Sequence, residues 1–165
     1  MKANSGFTLV ELMIVIAIIG MLSVGTLMVA KSWNDKYAVE SNIKKLHSIL
    51  MRARNDAANT NIQRLVTLTA NQVQTWQDVN NNGIADIGVD PTPGPIHFSN
   101  FALNSNIGGG LPTTIIFDRK GLTNNIQTIN IAGYSTQASP GVDCLVIAVS
   151  RINMGVMRGG ACVQQ

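Results

Sequence analysis

Residues 5–20 read SGFTLVELMIVIAIIG and carry one acidic side chain, Glu11, at the head of a long apolar run. A carboxylate inside a membrane helix costs about 2.5–3.5 kcal/mol on insertion scales, so its presence there calls for a purpose. From Leu12 to Ala30 there are nineteen consecutive residues without a charge, ended by Lys31. As a helix that run spans about 28 Å, close to the roughly 30 Å hydrocarbon core of a bilayer. A cleaved secretory signal fits less well. The stretch before the run holds only Lys2, the run is too long, and no small-x-small cleavage site follows it. The reading is a retained transmembrane helix over residues 7–30, with Glu11 either paired to another group or reaching back to the membrane surface near the helix start.

The helical pattern does not stop at Ala30. The first proline is Pro91. Val39, Ile43, Leu46, Leu50, Ala53 and Ala57 recur at spacings of four and three, an apolar stripe on one helical face. Glu40 precedes Lys44 by four residues, the favourable order for a helix-surface pair. The polar cluster Asn59-Thr60-Asn61 ends the pattern. One helix from about Phe7 to Ala58 would be roughly 78 Å long. Its first half is apolar all round and its second half, residues 31–58, is amphipathic. So long a helix must project from the remaining domain as a stalk.

After residue 60 the period changes to that of strands. The segments IQRLVTLTA (62–70) and NQVQTWQ (71–77) predict a strand pair, TTIIFDRKG (113–121) a strand and turn, and NIQTINIAG (125–133) another strand. CLVIAVS (144–150) predicts a buried strand and MGVMRGGACV (154–163) a last edge. The fold class is therefore α+β: a long N-terminal helix whose amphipathic half packs on an antiparallel sheet domain over residues 59–165. The composition is only 13 % charged, and the net charge of +3 is small and dispersed, which gives no indication of a nucleic-acid protein. Positive-inside counting sets Lys2 against Lys31, Lys36, Lys44 and Lys45, and alone would leave the domain in the cytosol. The two cysteines, Cys144 and Cys162, read either as buried thiols or as a disulfide; an exported domain favours the disulfide.

The loop DVNNNGIADIGVD (78–90) places Asp78, Asn80, Asn82, Gly83 and Asp86 at the spacing of the first nine positions of a calcium loop, with Ile84 where a backbone carbonyl would serve. The usual bidentate glutamate is replaced by Val89, with Asp90 adjacent. The plainer reading, an Asn/Gly-rich connection built from Asx turns, is preferred to a calcium site, and no other cofactor is expected. His47 and His97 have no local nucleophile or carboxylate partner, and the glycines at 108–110 lack the Lys-Ser/Thr of a phosphate loop. An enzyme is not expected.

GFTLVELMIVIAIIG resembles the N-terminal signal of type IV pilins and type II secretion pseudopilins. The resemblance implies a leader, residues 1–6, cut after Gly6 by prepilin peptidase on the cytoplasmic side, followed by N-methylation of Phe7. It implies that Glu11 pairs with the N-terminal amine of a neighbouring subunit during assembly. It also implies the pilin fold, single-pass residence in the bacterial inner membrane with the domain in the periplasm, and a disulfide-permissive compartment. Its implied partners are other subunits, the peptidase and the inner-membrane assembly platform. LMRARNDAANTNIQRLVTLT (50–69) resembles the H branch of minor pseudopilins and pilins, through Ala53, Arg54 and Ala57 on the helix and Val66, Thr67 and Leu68 on the strand. IIFDRKG and GVMR are similar to later segments of that branch.

Two departures bear on function. Many pilins carry a proline near position 28, where this chain has Met28; Gly20, Gly25 and Thr26 could weaken the helix there instead. Some relatives bind DNA through a Gly-Arg-x-Arg turn, but here the segment is Gly155-Val156-Met157-Arg158, so the first arginine is missing. Arg151, Arg158 and Arg119 read as a solvated face, and nucleic acid is not an expected partner. The function implied is a minor fibre subunit placed at or near the tip of a secretion pseudopilus or a type IV pilus. A DNA-uptake pilin and a calcium-binding, adhesion-type tip subunit are the alternatives.

Overall fold

In a computed structural model, residues 7–98, 100–106, 110–135 and 137–164 are described, the side chains of 24–28 excepted. Thr8 opens the single helix among them, α1 (Leu9–Thr60): its hydroxyl accepts the Glu11 amide at 3.3 Å, satisfying one of the donors a helix start leaves free. α1 runs for 52 residues, about 78 Å, and stops at Asn61, which adopts the left-handed conformation of a helix terminator. The helix therefore ends two residues later than the apolar period alone suggests, at the polar cluster that was expected to stop it.

The expected stripe is the buried face. Val39, Ile43, Leu46, Leu50 and Ala57 are fully buried and Ala53 is nearly so. They join Val66, Leu68, Val73, Ile115, Phe117, Ile129, Ile131, Leu145 and Ile147 in one core. The helix half before residue 24 touches none of this, and its apolar side chains from Leu9 to Leu22 stand exposed as a projecting stalk. Among the described residues no helix is long and apolar enough to cross a membrane.

Nine strands among the described residues form two antiparallel sheets, where one sheet was expected. The first has the order β3-β2-β1-β5, from β1 (Gln63–Leu68), β2 (Gln72–Asp78), β3 (Ile96–His97) and β5 (Thr113–Phe117). The second has the order β4-β6-β7-β8-β9, from β4 (Leu103–Ser105), β6 (Gln127–Ile131), β7 (Cys144–Ile147), β8 (Ile152–Arg158) and β9 (Ala161–Gln164). The split arises where β4 turns away from the first sheet, although the amides of Phe98 and Leu103 still donate to the carbonyls of Asn71 and Ala70.

The last predicted edge is a hairpin. Gly159 and Gly160, both at positive φ, reverse the chain so that Arg158 faces Ala161. Adjacent residues with φ above zero make the two-residue turn whose twist suits antiparallel strands. In the first sheet the pairs Leu65↔Trp76 and Leu65↔Ile116 place these three side chains on the face opposite the core, and the 78–90 loop folds back over it. Gly83 makes the closest approach; a Cβ there would sit 3.6 Å from Ile116 Cδ1.

Candidate functional site

Three of the expected site residues lie in the first eleven positions. Gly6 is outside the described residues. Phe7 is 84 % exposed and precedes the Thr8 cap. Glu11 is the third helical residue, in the Thr-x-x-Glu spacing of a capping box, and its own amide is held by Thr8. Its carboxylate is exposed, with no side-chain partner among the described residues. An acid in the first turn is favoured by the helix dipole, and an exposed one facing outward from a bare apolar stalk can bond a cationic group on another molecule.

Cys144 and Cys162 form a disulfide, with Cα atoms 6.0 Å apart. They sit on β7 and β9, with β8 between them, and second-neighbour strands in a flat sheet would be about 9.6 Å apart. β9 closes that gap by curling over Gly155, the β8 residue paired with Cys144. A Cβ on Gly155 would collide with the Val163 carbonyl and come within 3.0 Å of Cys162 Sγ. The glycine of the GVMR segment thus makes room for the bridge.

The 78–90 loop is held together by its own side chains. Buried Asp78 accepts the amides of Asn82 at 3.1 Å and Gly83 at 2.8 Å. Asn82 Oδ1 accepts the Ile84 amide at 2.8 Å. The side-chain amides of Asn80 and Asn82 donate to Asp86 Oδ2 at 2.9 and 2.7 Å, and these two bonds hold the Asp86 carboxyl below its usual pKa. Buried Asp90 accepts the amides of Val79 and Asp86. The motif residues are brought together, and their oxygens are engaged by N–H donors in a run of Asx turns. Among the described residues no group of three His, Cys, Asp or Glu is placed to hold a metal ion.

The two arginines considered for DNA are both exposed and stand at opposite ends of β8. Arg151 precedes β8 and Arg158 ends it, so about 23 Å of strand separates them. His47 is occupied structurally: its Nε2 lies 3.2 Å from the Ile152 carbonyl and helps seat the helix on β8.

Sequence reasoning missed the contacts that clamp the helix to the loop before β7. The Gly141 amide donates to Glu40 Oε1 at 2.8 Å, while Lys44 meets Oε2 at 3.2 Å in the helix-surface pair that the sequence did predict. The Ser135 amide donates to Asp35 at 3.4 Å. Tyr134 donates its hydroxyl to Asp143, whose other oxygen accepts the Met157 amide at 2.7 Å. The helix partners of this loop lie about a hundred positions away, beyond the reach of any local pattern.

In comparisons with known proteins, residues 1–27 match the family model described as the prokaryotic N-terminal methylation motif. No match was found among curated proteins or among solved structures. The matched segment spans Gly6, Phe7 and Glu11 together, and the chain thus carries the N-terminal methylation motif characteristic of type IV pilins and pseudopilins.

Proposed function

We propose that this chain is a minor pilin or pseudopilin of the H type that acts by polymerisation. Prepilin peptidase cuts after Gly6, Phe7 is methylated, and residues 12–30 hold the subunit in the inner membrane with the β domain in the periplasm. On assembly the helix leaves the bilayer sideways and joins a bundle of equivalent helices. The Glu11 carboxylate meets the new N-terminal amine of a neighbour, and only one axial register lets them pair. Burying that acid against a cation offsets the cost of removing it from water. The domain stands at or near the fibre tip and contacts the other subunits and the assembly platform.

The observation that carries this reading is a stalk with every described side chain from Leu9 to Ser23 exposed, headed by Glu11, whose carboxylate has no partner among the described residues, inside the matched motif. A monomer in water has no reason to keep so large an apolar surface bare. The test is Glu11→Gln in the intact chain, followed by counting fibres and by membrane fractionation. Loss of fibres with the subunit still in the membrane fraction supports the pairing. Fibres at normal number would refute it. Deleting the gene and measuring exported enzyme in the medium against surface pili assigns the fibre to secretion or to a pilus.

A further inference from the structure

Trp33 and Tyr37 are 57 % and 62 % exposed, although aromatic rings normally supply buried contact area. They sit one turn apart with ring centroids 6.3 Å from each other. At 100° per residue the two lie about 40° apart on the helix, whereas Val39, Ile43 and Leu46 fall at about 220–280° from Trp33. The aromatic pair therefore faces away from the core that the domain places on the helix, although Trp33 also edges a cleft whose other wall is Ser135 and Gln137 of the domain. Two bonds that seat the domain on the helix, Ser135 to Asp35 and Gly141 to Glu40, lie at this same level. Exposed Lys31 and half-buried Lys36 flank the pair in sequence.

We infer that Trp33 and Tyr37, with Lys31 and Lys36, form an interfacial anchor for the anionic lipid headgroups of the membrane's outer-facing surface. This inference rests on the membrane-inserted subunit proposed above and adds what fixes its depth. Trp33 lies about 4.5 Å and Tyr37 about 10.5 Å beyond Ala30 along the axis. The headgroup layer is about 5–7 Å thick on each side of the hydrocarbon core. Helical side chains tilt toward the N-terminus, here toward the bilayer, which draws both rings into that layer. Trp and Tyr suit it because a ring can rest on acyl chain while its N–H or O–H meets water and phosphate. The ammonium groups supply charge complementary to anionic phosphates. Glu11 stands about 33 Å from Trp33 along the same helix. An anchor at residues 33–37 thereby holds Glu11 and Phe7 at the opposite membrane surface until a neighbour arrives.

The test uses the full chain in vesicles of phosphatidylcholine and phosphatidylglycerol, with a nitroxide either at the headgroup or deep on the acyl chain. Trp76 is 8 % exposed and held to Thr67, so it supplies an unquenched background. The expected result is strong quenching of Trp33 by the shallow label and weak quenching by the deep one, with the quenched component lost in Trp33→Phe. Stronger quenching by the deep label overturns the anchor. So does an absence of quenching in a chain that still floats with the vesicles, which would place the rings against another protein helix. A chain that fails to float overturns the membrane reading itself, and flotation separates the two failures. In vesicles of phosphatidylcholine alone, shallow quenching is expected to weaken; unchanged quenching would refute the part assigned to Lys31 and Lys36.

Discussion

The Gly141 amide donates to the Glu40 carboxylate at 2.8 Å, joining the loop before β7 to the helix across 101 positions of sequence. With Lys44 on the other oxygen, Glu40 is the bolt between the stalk and the second sheet. The Gly141 amide above all holds its carboxyl below the ordinary value of 4.5, against the opposing effect of burial and with lesser help from Lys44 and Lys36.

A depressed carboxyl gives stability that is present above the unfolded pKa and is lost as pH falls through the folded one. The melting temperature should therefore drop as pH is lowered below about 4.5, and Glu40→Gln should lower it at neutral pH while flattening that acid limb. Asp86, lowered by the Asn80 and Asn82 amides, adds a further loss below about 3.8. An unchanged acid limb in Glu40→Gln would remove Glu40 from this role.

Tyr134 shows the opposite sign. Burial first, and then its bond to Asp143, raises its phenol well above the usual 10. A raised group contributes fully below the unfolded pKa and loses its contribution as pH rises toward the folded one, so the relevant window opens above pH 10. Tyr134→Phe leaves one oxygen of buried Asp143 without its donor and should cost about 1–3 kcal/mol at neutral pH. Denaturant melts at pH 7 and above pH 10 check both halves: the variant is weaker at the first and loses less at the second.

Gly155→Ala should destabilise the domain and leave titratable thiol, because the added methyl occupies the space through which Cys162 on β9 reaches Cys144. Replacing Cys144 and Cys162 together by serine should cost about 3 kcal/mol, the closure entropy of a loop of this size. Thiol titration under denaturing conditions and urea melts measure the two effects. Complete oxidation and wild-type stability in Gly155→Ala would show that the close approach is not tight.

The 78–90 loop should melt at the same temperature in chelator and in calcium, since Asp78, Asp86 and Asp90 already accept N–H donors. Asp78→Ala should cost about 1–3 kcal/mol by stranding two amides. A calcium-dependent rise in melting temperature would mean that an ion displaces those donors.

Legibility followed the range of the interactions. The stripe from Val39 to Ala57 was readable because one face of one helix sets its period, and all six residues are buried. The β1–β2 pair was readable from its β-branched residues on either side of Ala70-Asn71. The β8–β9 hairpin reads in sequence as one edge strand, although Gly159-Gly160 is a two-residue turn signal. β3 and β4, of two and three residues, are too short to carry a period. The split into two sheets and the Glu40–Gly141 and Tyr134–Asp143 bonds depend on partners that no local pattern names. At the N-terminus the methylation motif was legible because its residues are contiguous, while the bond of the Glu11 amide to Thr8 depends on where the helix starts.

The most direct measurement is fibre assembly by Glu11→Gln in the full chain, scored alongside membrane fractionation and N-terminal processing. The predicted result is a processed, membrane-resident subunit that forms no fibre, because the register-setting charge is gone while the apolar helix is intact. Processed Glu11→Gln subunits that assemble fibres of normal number and length would contradict it.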